Sequence, residues 1–411
     1  MRERNFRAVY LAGLWSRSGS SLAGVAVVWI VFASTGSALD VAYVAVVELA
    51  ASILFSLPSG VWVDRYDRAS LMVVADVTRA GVMAALGLSL LVFGFQLPVI
   101  LTAMFSVAAA SMLFQPAEQT ILPRIVPAGR LADANGLNRS SRAIVGMVGS
   151  SLGGALVIIV GAALGVLYNS ITFVVSALFL FTVYTALRQA GRKGTPSGAV
   201  RERHMGREIV EGLRWLIHEA PGLWELSVSA LFFNFFVTLY GTFVVIFVVE
   251  VLHGTALVYG LFLAASTAGM ALGSLLVGRT RTVRSAGRVW VIGYGIGGGL
   301  GLLALSQVTS PLLAFPIVFA YEVSLGIAGN TWLTAAQILV PSHVQGRYFA
   351  LDGLLSWGVL PVAQITGALL IVAKGIDFTI LVSGAGLLAS GLLSMLGRNL
   401  WHLGVTGTPQ T

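Results

Sequence analysis

Three ionisable residues, Arg17, Glu48 and Glu322, lie deep within long apolar runs of the sequence. Charged side chains at membrane depth are energetically costly, so each of them is a functional candidate by default. Arg17 lies about ten residues into its run, which is roughly 15 Å along a helix. A carboxyl group removed from water favours its neutral form, so it can take up a proton on one side of a membrane and release it on the other. Glu322 and Glu48 are therefore candidate proton carriers.

The similar predicted depths of Arg17 and Glu48 suggest that these two side chains pair. The pair can be a structural link between the first two helices, or a switch that responds to a bound substrate. Glu322 has no basic neighbour in its own run. The alternative to its role as a proton carrier is that of a structural acid, buried and hydrogen-bonded to a neighbouring side chain. Asn234, within the aromatic stretch LFFNFF, is predicted to face protein and is a further substrate candidate. Four other acids lie nearer the ends of the runs, and we interpret them as interfacial or capping groups: Glu118, Glu225, Glu250 and Asp352.

The composition predicts a protein that is dissolved in a bilayer rather than in water. Hydrophobic residues make up 57% of the 411 residues and charged residues 10%, whereas soluble domains carry about 25% charged residues. Each spanning helix needs roughly 20 apolar residues. Apolar windows of that length occur twelve times, at 8–34, 40–63, 70–94, 97–117, 137–160, 163–187, 223–250, 256–278, 289–307, 311–334, 349–373 and 377–397. The fold class is thus an all-α membrane protein of twelve transmembrane helices.

The basic residues indicate the orientation of these helices. With the N-terminus inside, the segments on the cytoplasmic side hold all of the 25 Lys and Arg residues except Arg17 and Lys374. Lysine and arginine accumulate on the cytoplasmic side of membrane proteins, so we expect both termini in the cytoplasm and the chain in the cell membrane. The net charge of +8 is then a signal of topology and not a nucleic-acid surface. Membrane lipids are the expected surroundings, and we expect a monomer.

The two halves of the chain look duplicated. An offset of about 218 residues aligns Gly36 with Gly254, Pro98 with Pro316, and AEQTILP with AAQILVP. Two related six-helix halves are a plan used by transporters that rock around a central site. We predict an N-terminal bundle at 1–188, a linker with an amphipathic surface helix at 189–221, and a C-terminal bundle at 222–411. The repeat partners of the three buried charges are uncharged: Phe235, Ser266 and Met104.

The stretch SGVWVDRYDRASL, between the second and third windows, carries a dense group of charges. A glycine, an acid four residues later and then basic residues resemble the signature loop of the major facilitator superfamily, on Gly60, Asp64, Arg65 and Arg68. Asp67 stands where many members have a second glycine. The stretch GSSLGG in the fifth window is similar to the glycine motif of the drug:proton antiporters, on Gly149, Gly153 and Gly154, with Ser150 in place of its proline. QPAEQTILPRIVP and LADANGLNRS resemble the macrolide-efflux and enterobactin-exporter-like branch.

The resemblance implies a cytoplasmic gate in this loop. An acid at Asp64 can face the positive N-terminal end of the eleventh helix, and Asp76 and Arg79, on one face of the third helix, can extend the charge network. Such a network can latch the two halves together in one state. The alternative is a hairpin that only fixes topology, which needs basic residues but no acids. The second half has lost the acids, because Asp64 aligns with Thr282.

These features favour a secondary active transporter that exports amphipathic small molecules in exchange for protons by alternating access. An importer or facilitator of a polar solute is the alternative, and it would need more polar residues at mid-depth. A membrane-embedded enzyme needs clustered catalytic residues, and a channel needs a filter-like segment; neither is present in the sequence. The chain has no phosphate-binding loop for ATP, and with no cysteine and five scattered histidines we expect neither a metal nor a cofactor.

Overall fold

The computed structural model describes residues 2–126, 130–189, 214, 216–277 and 285–404 of the chain. These residues form helices and short connections, and twelve of the helices are long and apolar enough to cross a membrane. The prediction of twelve transmembrane helices is therefore confirmed. The surface helix predicted within 189–221 falls mainly outside the described residues.

Six helices make up the first half of the chain, and their ends follow local turn chemistry. Ser37 caps the second helix and Asp67 the third, each by accepting a main-chain N–H three residues later, as short polar side chains at helix N-termini do. The first, third and fifth helices end at Gly36, Gly94 and Gly161, whose positive φ angles favour glycine. The helices are α1 (Arg2–Thr35), α2 (Ala38–Arg65), α3 (Arg68–Phe93), α4 (Leu97–Ile125), α5 (Leu131–Val160) and α6 (Ala162–Gln189).

The second half has the same number of spanning helices, with more interruptions. Segments of π-helix lie at Phe247–Val251 and Val291–Gly297, and the eleventh helix is interrupted at Val359. The helices are α7 (Pro221–Val251), α8 (Ala256–Val277), α9 (Ala286–Leu305), α10 (Pro311–Leu339), α11 (Ser342–Gly358 and Leu360–Lys374), α12 (Ile376–Ser394) and the short α13 (Arg398–Trp401).

The described helices form two compact units. The first contains α1 to α6 together with residues Gly254–Ala264, and the second contains α7, the rest of α8, and α9 to α13. Within the first unit, α6 packs against α1 and α3, and α4 against α2 and α3. Within the second unit, α12 packs against α7 and α9, and α10 against α9. The second unit thus repeats the helix pairing of the first.

Small residues allow these helices to approach closely, as is typical of membrane interiors. A β-carbon at Gly87 of α3 would lie 2.5 Å from the side chain of Leu167 in α6. In the second unit, Gly295 of α9 meets Gly391 of α12 backbone to backbone, and Gly299 contacts the main chain of Leu388. The helix pairs that organise each unit therefore depend on the absence of side chains at these contacts.

Candidate functional site

A cluster of three charges lies inside the first unit. Glu118 of α4 is almost completely buried, with 2% of its side chain exposed. One of its oxygens accepts a hydrogen bond from Arg17 Nη1 at 2.9 Å, and the other accepts one from Arg142 Nη2 at 3.0 Å. The cluster thus joins α1, α4 and α5 and carries one positive charge in excess.

The prediction that Arg17 pairs with Glu48 is wrong. The guanidinium group of Arg17 turns towards α4, and it folds over Gly13, where a β-carbon would lie 2.7 Å from Nη2. Glu48 is half-buried in α2, and its side chain has no ion pair among the described residues. Two of the Arg17 nitrogens, Nε and Nη2, are buried without a hydrogen-bond partner.

Sequence reasoning missed the role of Glu118, because the residue lies close to the end of a predicted window. The interpretation of Glu118 as an interfacial or capping group is corrected by its burial between two arginines. One signal was available: Glu118 interrupts the apolar sequence of AEQTILP, whereas the repeat has Ala336 in its place. Glu225 does act as a cap, because its carboxylate accepts the Leu400 N–H of α13 at 2.7 Å and the Asn399 side chain at 2.8 Å.

A second buried charge network surrounds Arg79 in α3. Asp76 binds Arg79 through an ion pair and accepts a hydrogen bond from the Ser176 hydroxyl of α6 at 2.5 Å. The Arg79 guanidinium lies 4.5 Å from the ring centres of both Phe114 and Phe173, a favourable arrangement for a desolvated cation. The sequence grouped Arg79 with the cytoplasmic residues, but the structure buries it about three turns into α3. Asp76 and Arg79 therefore link α3, α4 and α6 within the unit.

The charged loop lies between α2 and α3. Arg65 and Asp67 are exposed, Arg68 is buried, and Asp67 caps α3 by accepting the Ser70 N–H at 2.8 Å. The surroundings of Gly60 and of the Asp64 side chain are outside what the structure describes, so the latch stays a prediction. A double-mutant cycle on Asp64 and Arg68, measured as transport rate, tests it, and full additivity would contradict a latch.

The glycines of α5 are contact points. A β-carbon at Gly149 would lie 2.8 Å from Ser21, and one at Gly153 would lie 2.8 Å from the carbonyl oxygen of Leu22. Gly154 meets the main chain of Ala256, a residue grouped with the first unit. The motif thus permits close approach of backbones on two sides of α5.

Glu322 of α10 is the buried acid of the second unit that the sequence singled out. One of its oxygens accepts a hydrogen bond from the Ser266 hydroxyl of α8 at 2.8 Å. The other oxygen, Oε2, is buried without a partner. Among the described residues, no basic side chain pairs with Glu322.

A cavity of about 370 Å³ lies within the second unit. Asn234 lines it, in agreement with the prediction that this residue faces protein. Its side-chain amide donates a hydrogen bond to the Ala230 carbonyl at 2.8 Å. Asp352 of α11 also lines it and is only 4% exposed, so its interpretation as an interfacial or capping group is corrected. Within the described part of the chain, no group of three or more His, Asp or Glu residues is placed to hold a metal ion.

Twelve spanning helices in two units with a shared pairing pattern define the class of fold as that of the major facilitator superfamily. The structure is similar to a bacterial homologue of the iron transporter ferroportin, with a TM-score of 0.75 and 17% identity over 97% of this chain and 98% of that one. It is also similar to a POT family transporter, with a TM-score of 0.72 and 12% identity over 95% of each chain. At these identities the likeness shows the fold alone.

The sequence places the chain within that superfamily. The family model described as transmembrane secretion effector matches residues 1–400, and the chain belongs to this family. It is 25% identical to the multidrug efflux pump Tap of Mycolicibacterium fortuitum, over 98% of this chain and 97% of the relative. It is 22% identical to the macrolide efflux protein A of Streptococcus pyogenes, over 89% of each. The resemblance seen in the charged loop and in α5 is therefore confirmed.

Proposed function

We propose that this transporter exports amphipathic small molecules across the cell membrane in exchange for protons, as a monomer that works by alternating access. The observation that carries the proposal is Glu322, a buried carboxyl group with one hydroxyl partner and one oxygen without a partner. A carboxyl group that lacks a compensating cation in a dry environment can gain and lose a proton. The efflux of drugs by relatives such as Tap supports the direction of transport.

Besides Asp76, which pairs with Arg79, and Asp352, which accepts a hydrogen bond from Ser227, three acids within the spanning helices differ in their surroundings. Glu118 pairs with two arginines, so its negative charge is compensated. Glu48 and Glu322 have no basic partner among the described residues. The phenols of Tyr294 and Tyr321 are the titratable groups close to Glu322. We therefore assign proton coupling to Glu322, with Glu48 as the second candidate.

Glu322→Gln tests this assignment, because it keeps the shape of the side chain and removes its titration. In proteoliposomes, we expect the variant to exchange a cationic and a neutral fluorescent amphiphile across the membrane. Accumulation driven by an imposed pH gradient should fall to the level seen without a gradient.

Glu225→Gln is the matched control, since Glu225 caps α13 and should leave the gradient response unchanged. If Glu322→Gln and Glu48→Gln both keep gradient-driven accumulation, proton coupling through these acids is refuted. If the wild-type protein moves neither amphiphile, the proposed transport function itself fails.

A further inference from the structure

We propose that the cavity of the second unit bounded by Trp290, Trp332 and Asp352 binds the positively charged group of the transported molecule. This inference rests on the proposed function and specifies its substrate class: organic cations that carry an aromatic or amine-bearing group. Residues of α7, α8, α9, α10 and α11 line the cavity, and all of these residues belong to the second unit.

The charge of the cavity is negative. Asp352 is the one ionisable carboxylate on its wall, and the described lining residues include no lysine, arginine or histidine. The Ser227 hydroxyl donates a hydrogen bond to Asp352 Oδ1 at 2.8 Å, which fixes the position of the carboxyl group. Among the described residues no basic side chain pairs with Asp352, so a bound cation would supply the counterion that a buried carboxylate needs.

The wall next to Asp352 is aromatic. Trp290 stacks on Tyr294 with ring centres 4.5 Å apart, and Trp332 lies 6.3 Å from Trp290. Phe233 closes this cluster from α7, stacked parallel to Tyr294 at 5.7 Å. Aromatic faces attract cations, tryptophan most strongly, and the attraction grows when the site is desolvated. A carboxylate beside tryptophan rings therefore selects a large, weakly hydrated cation over a small metal ion.

The remaining polar groups of the wall fit the same ligand. The amides of Asn234 and Asn330 each donate to a main-chain carbonyl, of Ala230 and of Ser274, which leaves their oxygens as acceptors for an ammonium group. The indole of Trp332 lies on the same wall.

The size of the cavity and a comparison within the same unit support the assignment. A volume of about 370 Å³ lies in the range of pockets that hold drug-sized ligands, roughly 300–1,000 Å³. A larger cavity of about 480 Å³ lies between α7 and α12 and is lined by Phe232 and Phe236. Its acid, Glu225, has a hydrogen-bond donor on each oxygen, from Asn399 and from the Leu400 N–H, so this carboxylate is already engaged as a helix cap.

The test uses two probes of nearly equal size and opposite charge, tetraphenylphosphonium and tetraphenylborate. Their binding to purified protein in detergent is measured by equilibrium dialysis at fixed pH, without a gradient. We expect tetraphenylphosphonium to bind at least tenfold more tightly than tetraphenylborate. Asp352→Asn should weaken tetraphenylphosphonium binding about tenfold, and Trp332→Leu should weaken it several-fold. Asp377→Asn, at the start of α12 and outside the cavity, is the control and should bind as the wild type does.

Equal affinity for the two probes in the wild-type protein overturns the inference, and this comparison does not depend on how any variant folds. Unchanged binding in a folded Asp352→Asn variant, judged by its elution as a monodisperse peak, overturns it as well. The measurement separates this inference from the proposed function. Loss of probe selectivity with intact gradient-driven transport refutes the cation site alone, whereas selective binding without any gradient response refutes proton coupling alone.

Discussion

The buried acids of the first unit meet different amounts of positive charge. Glu118 binds two arginines, Asp76 binds one, and Glu48 binds none among the described residues. An acid shared by two arginines serves as a fixed link between helices, because removing the acid leaves both arginines without their counterion. The Arg17–Glu118–Arg142 cluster therefore holds α1, α4 and α5 together, while Glu48 has no such link among the described residues.

We predict strong energetic coupling between Arg17 and Glu118. Glu118→Gln leaves Arg17 without a counterion and should lower the thermal unfolding midpoint in detergent, by the equivalent of ~3–5 kcal/mol for a stranded buried charge. Arg17→Ala should lower it less, because Arg142 still pairs with Glu118. The double variant should lose less than the sum of the two single losses, since Arg17 is then no longer left without its acid.

The matched control for this cycle is Glu48→Gln combined with Arg17→Ala. Its two effects should add, because the structure shows no contact between these side chains. Coupling between Arg17 and Glu48 that equals or exceeds that of Arg17 and Glu118 would contradict the observed pairing.

At the level of helices, the second unit depends on contacts that have no room for a side chain. Gly295 and Gly391 bring α9 and α12 together, and Gly299 continues the contact one turn further along α9. The π-helical segment Val291–Gly297 lies at this contact and next to Trp290 of the cavity wall. Interrupted helices are tolerated inside membranes where neighbouring protein satisfies the backbone, and here they set the position of the aromatic wall.

Gly295→Ala should therefore destabilise the protein, because the added methyl group would meet the main chain of Gly391. We expect a lower unfolding midpoint and weaker tetraphenylphosphonium binding, since Trp290 and Tyr294 belong to the same helix. Gly81→Ala is the matched control, as a β-carbon at Gly81 of α3 would meet no atom within 4 Å. That variant should be neutral, or more stable by up to about 1 kcal/mol through its helix propensity. Equal effects of the two substitutions would show that the α9–α12 contact is not tightly packed.

The whole molecule consists of two units with the same helix pairing but different charges. The repeat partner of Glu48 is Ser266, and Ser266 is the residue that binds Glu322. The repeat partner of Glu322 is Met104 of α4. Glu48 on α2 and Glu322 on α10 thus lie on equivalent pairs of helices, but on different members of the pair.

The proposed orientation of the whole chain can be tested by labelling single cysteines, because the natural sequence has none. Tyr66, in the exposed turn after α2, and Lys374, at the end of α11, lie on opposite sides of the predicted topology. Tyr66→Cys should react in intact cells only with reagents that enter the cytoplasm, and Lys374→Cys with impermeant reagents added outside. Neighbouring Gly375 is unsuitable because of its positive φ. The reverse labelling pattern would invert the topology.

The sequence alone determined the class of fold, since the length of an apolar run decides whether a helix can span a bilayer. It also identified Glu322 and Asn234, because polar groups in such runs stand out against their neighbours. It could not identify the partner of Arg17. Glu48 has a predicted depth in the membrane similar to that of Arg17, so depth alone could not select the partner. Glu118 is 101 residues from Arg17 in the sequence, and only the packing of α1 against α4 brings the two side chains together. Asp352 and Trp332 were missed for the same reason, because a cavity exists only where five helices leave a gap between them. The tertiary structure thus decided which charges are compensated and which acid lines an aromatic cavity.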